Sequence, residues 1–283
     1  MIDPKGDGSA FDANWRNRVE TGYLHWTRKE PENQIQLAFR QHWLTFNRLL
    51  VGLNRQRRCL EVGCGRGSLS AYFADDGWDC TLLDLSEVAI SRAREAFSEA
   101  GLTARFDIGN CLALPYKNDS FDLVFSIGLL EHFEDIDHLI AEQTRVLAPG
   151  GMFIGYVVPH LPECTQKDYE WINELLRALL CKEAKEATLG KTEVYRSDVL
   201  SPDYLKAMQK AGLGECQADG IYPLPMISHS PSFPFSLLPP AAEKSLVSTF
   251  QKWLDQRESE TSTDPWRCPE GEGQAFIVWG KKL

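Results

Sequence analysis

The sequence is short of positive charge, of metal-ligand spacings and of long apolar runs, and each shortage removes a class of function. Thirty Lys and Arg against forty Asp and Glu leave a net charge of −10 over 283 residues. A phosphate backbone is held by a concentrated positive surface, so no nucleic-acid partner is expected. The eight cysteines, at 59, 64, 80, 111, 164, 181, 216 and 268, form no C-x-x-C pair and no short Cys/His spacing of a zinc site. They read as reduced thiols filling core space, and no metal is expected. No stretch reaches the roughly 18 apolar residues of a membrane span, and the opening MIDPKGDGSAFDANW lacks the basic and apolar regions of a leader. A cytoplasmic chain without a membrane partner is expected, monomer or homodimer. Repeats and low-complexity tracts are missing too.

What is present is core-forming material, 43% hydrophobic residues, arranged in a two-beat pattern. From Arg58 to Val158 short apolar runs alternate with amphipathic stretches, which predicts parallel strands covered by helices. The expected strands are 59–62, 80–83, 104–108, 122–126 and 152–158, with helices over 68–75, 86–100 and 134–147. Ser86 is a natural N-cap, with Glu87 in the first turn. The fold class is α/β: a doubly wound, Rossmann-like sheet, with ligands at the carboxyl ends of its strands. Residues 1–57, carrying Trp15, Tyr23, Trp26 and Trp43, read as a helical N-terminal cap, 58–158 as the cofactor-binding core and 159–200 as an inserted helical cap. Residues 201–283 complete the sheet, with a helix over 201–211, strands over 216–223 and 275–281, a further helix over 242–258, and six prolines crowded between 223 and 240.

The first strand runs into Glu61-Val62-Gly63-Cys64-Gly65-Arg66-Gly67-Ser68. Glycines at 63, 65 and 67 allow a tight turn and close approach of backbone to a ligand. Asp84 ends the next strand seventeen residues beyond Gly67, where a carboxylate can accept both ribose hydroxyls of an adenosine. The dinucleotide fingerprint asks for a further glycine at position 68, which is Ser, and Glu61 puts an acid where a pyrophosphate would be repelled. S-adenosylmethionine has no phosphate and carries a sulfonium and an ammonium, so it suits that acid. The competing reading is that Glu61 caps local backbone amides.

Five elements in order carry a resemblance: Glu61 to Gly67; Leu82-Leu83-Asp84-Leu85-Ser86; Asp107-Ile108-Gly109-Asn110-Cys111; Phe121 to Ser126; and Leu147-Ala148-Pro149-Gly150-Gly151. The stretch 58–158 resembles the class I S-adenosylmethionine-dependent methyltransferases, in particular their small-molecule, type 11-like branch. The resemblance implies a seven-stranded sheet, mostly parallel, with an antiparallel last strand inserted at the sheet edge. It implies that Gly63, Gly65 and Gly67 line the methionine part of the cofactor and that Asp84 holds the ribose. Leu85 would lie on the adenine face, Asn110 and Cys111 at its edge, and Ile127 beside the ammonium group.

Methyl transfer from a sulfonium chiefly requires alignment and exclusion of water, and a base only for a protonated acceptor. Glu131 and His132 follow the fourth strand, and His132 suits a general base because its ordinary pKa lies near neutrality. The metal-holding E-x-x-E-H pattern of quinone-precursor methylating relatives is broken by Gly128, and the N/D-P-P-Y/F tetrapeptide of amino-group methylating relatives is absent. The acceptor wall is expected from the flanks, with Tyr23, Trp26, Arg28 and His160 as substrate-binding residues. The expected function is methyl transfer to an O, N or S atom of a small molecule. A non-catalytic S-adenosylmethionine-binding sensor or accessory subunit is the alternative.

Overall fold

The computed structural model describes residues 25–53, 56–160, 165–180, 195–227 and 238–283. The described chain opens with helix α1 (Gln34–Leu49), whose N-cap Asn33 accepts a hydrogen bond from the Gln36 amide. The alternating centre follows: β1 (Arg58–Val62), α2 (Ser68–Asp75), β2 (Asp79–Asp84), α3 (Glu87–Ala100), β3 (Arg105–Ile108), β4 (Phe121–Ile127), α4 (Ile136–Val146) and β5 (Leu147–Val157). The five strands pair in parallel in the order β3-β2-β1-β4-β5. Ser86 caps α3 through the Ala89 amide, as its place before Glu87 predicts.

Side chains alternate across each strand and so build two cores. Cys59, Leu123, Phe125 and Ile154 face one way, together with Leu37 and Phe46 of α1, Leu69 and Phe73 of α2, and Ile90 and Phe97 of α3. Leu60, Val62, Val124 and Phe153 face the other way, toward Leu139, Ile140 and Val146 of α4. Past β5 come the single turn α5 (Thr165–Asp168), α6 (Glu170–Leu180), α7 (Ser201–Lys210), β6 (Leu213–Ile221), α8 (Pro240–Thr261), β7 (Arg267–Cys268) and β8 (Ala275–Lys282). Val247, Phe250 and Leu254 of α8 join the first core, and Tyr204, Ala207 and Met208 of α7 join the second. Of the expected helical N-terminal cap, residues 1–24 and 54–55 lie outside the described residues, as do 161–164 and 181–194 of the inserted cap.

The complete order, β3-β2-β1-β4-β5-β8-β6-β7, has eight strands where seven were expected. The added one, β7, pairs through Gly220↔Cys268 and Ile221↔Arg267, too short a run to leave a periodic signal. β8 is antiparallel to β5 as expected, but it stands inside the sheet between β5 and β6, not at the edge. Its composition suits that place: Ala275 to Trp279 is a continuous apolar run, all of it buried. No helix of the described residues is long and apolar enough to cross a membrane.

The proline-rich segment after β6 replaces ladder pairing with side-chain amides. Pro223 and Pro225 offer no N–H, and the carbonyls around them must still be satisfied. Gln34 Nε2 donates to the Pro225 carbonyl (2.8 Å) while Gln34 Oε1 accepts from the Ile227 amide (3.0 Å). Asn173 of α6 donates to the Met226 carbonyl (2.9 Å), and Gln274 donates to the Leu224 carbonyl. Residues 228–237 of this segment lie outside the described residues.

Candidate active site

The carboxyl ends of β1 to β4 form one rim. At the end of β1 the amides of Gly63 and Cys64 both donate to the Leu83 carbonyl (2.8 and 3.0 Å), which bends the chain across β2. Gly63, Gly65 and Gly67 have φ of 69, 54 and 70°, the left-handed region open to glycine. A Cβ on Gly67 would drive into the Leu82 side chain and stand 3.1 Å from the Phe97 ring. Gly67→Ala is therefore expected to destabilise by about 3 kcal/mol, from the backbone conformation and overpacking together. Urea unfolding checks this, and an unchanged midpoint would contradict it.

Asp84 ties the turn together. Its Oδ2 accepts from the Gly65 amide and its Oδ1 from the Ser86 amide, both at 2.9 Å. Beside it Gly109 donates to the Asp84 carbonyl (3.0 Å), and Asn110 Oδ1 accepts from the Leu112 amide (2.9 Å). Burial pushes the Cys111 thiol up to about 12, so it stays protonated at neutral pH. Gly65, Asp84, Leu85, Asn110, Cys111 and Ile127 are all half-buried, while the strands behind them are closed. All six lie at or just past the carboxyl ends of β1 to β4.

Glu61 is the exception. It shares the strand face of Cys59, and that face is covered by α2. The carboxylate is buried, and its Oε2 accepts from the Ser70 amide (3.2 Å) and hydroxyl. Gly67, at the N-cap, has no side chain to satisfy the first turn of α2, and Glu61 does so from below. Burial outweighs those bonds and raises its pKa to about 8, with the nearby Asp84 charge adding to the rise. The expected direct contact with the cofactor gives way to the capping role.

At the end of β4, Gly128 (φ 64°) donates to the Tyr156 carbonyl (2.9 Å) and leads into the turn Leu130–His132. Glu131 is 1% exposed, and its Oε2 has no hydrogen-bond partner among the described residues. Burial lifts its pKa to about 7, against the opposing charge of Arg196. His132 Nδ1 lies 2.6 Å from the Tyr195 carbonyl and so carries the hydrogen; Nε2 is 4.0 Å from Glu131 Oε1. Desolvation lowers the His132 pKa, which keeps the ring neutral at pH 7. Returning chain closes on the pair: the Ser197 amide donates to the Glu131 carbonyl (2.8 Å), and the His160 amide to the Ser197 carbonyl (3.0 Å).

The expected acceptor wall is brought together only in part. His160 stands exposed just past β5, near Glu131 through Ser197. Trp26 is half-buried against the first core. Arg28 lies over the Trp26 ring (5.2 Å) and pairs with Asp75 at 2.8 Å. Asp75 is the last residue of α2, a full helix length from the glycine turn, and Arg28 is 60% exposed there. Tyr23 lies outside the described residues.

Sequence reasoning missed His42. It accepts the Trp266 indole hydrogen at Nδ1 (2.9 Å) and packs edge-on against Tyr156, ring centroids 4.6 Å apart. Burial drops its pKa to about 3, so the ring is neutral and its own hydrogen sits on Nε2. The signal was available: Ala38, His42 and Phe46 recur at helical spacing and all are buried. No group of three or more metal-ligating side chains occurs among the described residues.

Residues 60–155 match a family profile described as a methyltransferase domain. Norajmaline N-methyltransferase of Rauvolfia serpentina is 35% identical over 103 residues, 35% of this chain and 35% of that one. Tocopherol O-methyltransferase of Arabidopsis thaliana is 36% identical over 155 residues, 50% of this chain and 43% of that one. The chain spans less than half the length of either relative. A solved structure from Galdieria sulphuraria, a sarcosine dimethylglycine methyltransferase candidate, superposes with a TM-score of 0.54 over 98% of both chains at 18% identity, a likeness of fold. Residues 60–155, which carry the rim at the ends of the parallel strands, are thus similar to the methyltransferase-domain family.

Proposed function

We propose that the protein transfers a methyl group from S-adenosylmethionine to an O, N or S atom of a small molecule. The observation that carries this reading is Asp84, whose half-buried carboxylate joins the glycine turn to the start of α3 at the carboxyl ends of the parallel strands. The rim fits the cofactor: a glycine turn for the methionine part, a carboxylate for ribose hydroxyls and Asn110 with Cys111 for the adenine edge. Leu85 would pack on the adenine face, and the Ile127 backbone would meet the ammonium group. When bound, S-adenosylmethionine supplies an electrophilic methyl on sulfur.

The chain's own residues then hold the acceptor in line and keep water out. His132, neutral at pH 7, takes a proton from an acceptor that arrives as a hydroxyl, thiol or ammonium, and the adjoining Glu131 steadies the resulting imidazolium. His160 and Trp26 belong to the acceptor side. The alkaloid and tocopherol named in the relatives support a small, partly apolar acceptor. The acidic composition favours it over nucleic acid, and the reading is of a cytoplasmic enzyme. Calorimetric titration of the full chain with S-adenosylhomocysteine is expected to give micromolar binding, and the same titration with NAD none. Binding of NAD alone, or of neither, would overturn the proposal.

A further inference from the structure

The loop from Gly109 to Asn118, which joins β3 to β4 and carries Asn110 and Cys111, has little secondary structure of its own. Its backbone polar groups must be satisfied from elsewhere. At its start the Asn110 side chain accepts from the Leu112 amide, and near its end the Tyr116 hydroxyl donates to Asp107 of β3 (2.9 Å). Between these ends the partners come from one face of α4. His138 Nε2–H donates to the Leu112 carbonyl (2.9 Å), and Glu142 Oε1 accepts from the Leu114 amide (2.8 Å). Arg145 donates to the carbonyls of Leu114 (3.0 Å) and Tyr116 (2.8 Å) and to Asn118 Oδ1 (2.8 Å).

Residues 138, 142 and 145 are spaced i, i+4, i+7 and share a helix face. The set is braced internally. Arg145 grips Glu142 with two bonds, at 2.8 and 2.7 Å, and that contact holds the Glu142 carboxyl below its usual range. The helix itself is fixed at its start by Asp135, whose Oδ1 accepts from the His138 amide (3.1 Å). On its other face Leu139, Ile140 and Val146 are buried in the second core. A rigid, core-anchored helix therefore sets the path of a loop that has no ladder to set it.

We propose that His138, Glu142 and Arg145 are positioning residues for the cofactor: they hold Asn110 and Cys111 in the shape that receives the adenine end. This rests on the reading of the rim as a nucleoside site. None of the three need touch the ligand; each acts through the loop.

The test uses the full chain and its His138→Ala, His138→Gln and Arg145→Met variants. Affinities for S-adenosylhomocysteine and for 5′-methylthioadenosine are measured by calorimetry, and amide hydrogen exchange is followed in the ligand-free protein. His138→Ala and Arg145→Met are expected to weaken both nucleosides by the same factor, about tenfold, a loss of roughly 1.4 kcal/mol. Exchange should quicken over 112–116 and stay unchanged over 63–67. Gln places a donor near that of the imidazole, so His138→Gln should restore affinity. His138 is exposed, so its variants report even if Arg145→Met fails to fold. If the wild type binds the nucleosides and His138→Ala binds them equally well, the positioning role is overturned while the site reading stands. The positioning role falls equally if affinity drops together with loosening of the glycine turn, or if His138→Gln rescues nothing. If the wild type binds neither nucleoside, the site reading falls and takes the positioning role with it.

Discussion

Asp84→Ala is expected to weaken S-adenosylhomocysteine binding by about 100-fold, which is roughly 2.7 kcal/mol. Two losses add. On the proposed reading the ribose hydroxyls lose their acceptor, and the amides of Gly65 and Ser86 lose theirs, at about 1–3 kcal/mol for each such group left unsatisfied in a buried place. The glycine turn and the start of α3 then separate, so the methionine end suffers along with the sugar. Asp84→Asn keeps one accepting oxygen and should fall between the two. Calorimetry on the three proteins, with thermal unfolding as a control for folding, makes the comparison. Undiminished affinity in Asp84→Ala would remove the ribose role and with it the observation that carries the proposed function.

The second large effect concerns stability against pH. Glu61 has its pKa raised from 4.5 to about 8 in the folded protein. Between those values the native state keeps a proton that the unfolded chain has released, so stability falls as pH rises through the window. The slope is about 1.4 kcal/mol per pH unit for one proton. Glu131, raised to about 7, acts in the same direction up to that pH. His42 acts in the opposite sense: its pKa is lowered from 6.5 to about 3, so stability is lost as pH falls below 6.5. Glu61→Gln keeps an acceptor for Ser70 and removes one titrating proton. It should match the wild type near pH 4.5 and exceed it increasingly toward pH 8. Urea unfolding at steps across that range decides; parallel curves for the two proteins would show that Glu61 titrates as an ordinary carboxylate.

The fold's centre was legible because strands buried on both faces and crossover helices have different periods, and the boundaries fall where the apolar runs stop. Asp84 and the three glycines were legible because their spacing marks a turn and a strand end. The direction of Glu61 was not drawn from the sequence, although the two-residue period of β1 already puts it on the face of Cys59, beneath α2. Arg28 was ambiguous for a different reason: an exposed arginine pairs with whichever carboxylate the fold brings near, and here that is Asp75. β7 was too short to show, and the interior place of β8 depends on pairings more than a hundred residues apart, such as Val157↔Phe276. The bracing of the Gly109–Asn118 loop is coded in Glu142 and Arg145, which in isolation read as a surface i,i+3 ion pair; only the loop lying across them gives the pair its work.

The interior position of β8 also sets an order of assembly. β6 and β7 reach the rest of the sheet only through β8, the last strand of the described chain. During synthesis the parallel half of the sheet can form while the apolar edge of β5 stands open, with Met152 to Val157 waiting for Phe276 to Lys281. An open apolar edge invites pairing with other chains, and contacts of such long sequence separation form slowly. The rim lies wholly on strands that precede this step, so its scaffold is made early, while protection of the sheet comes at the end.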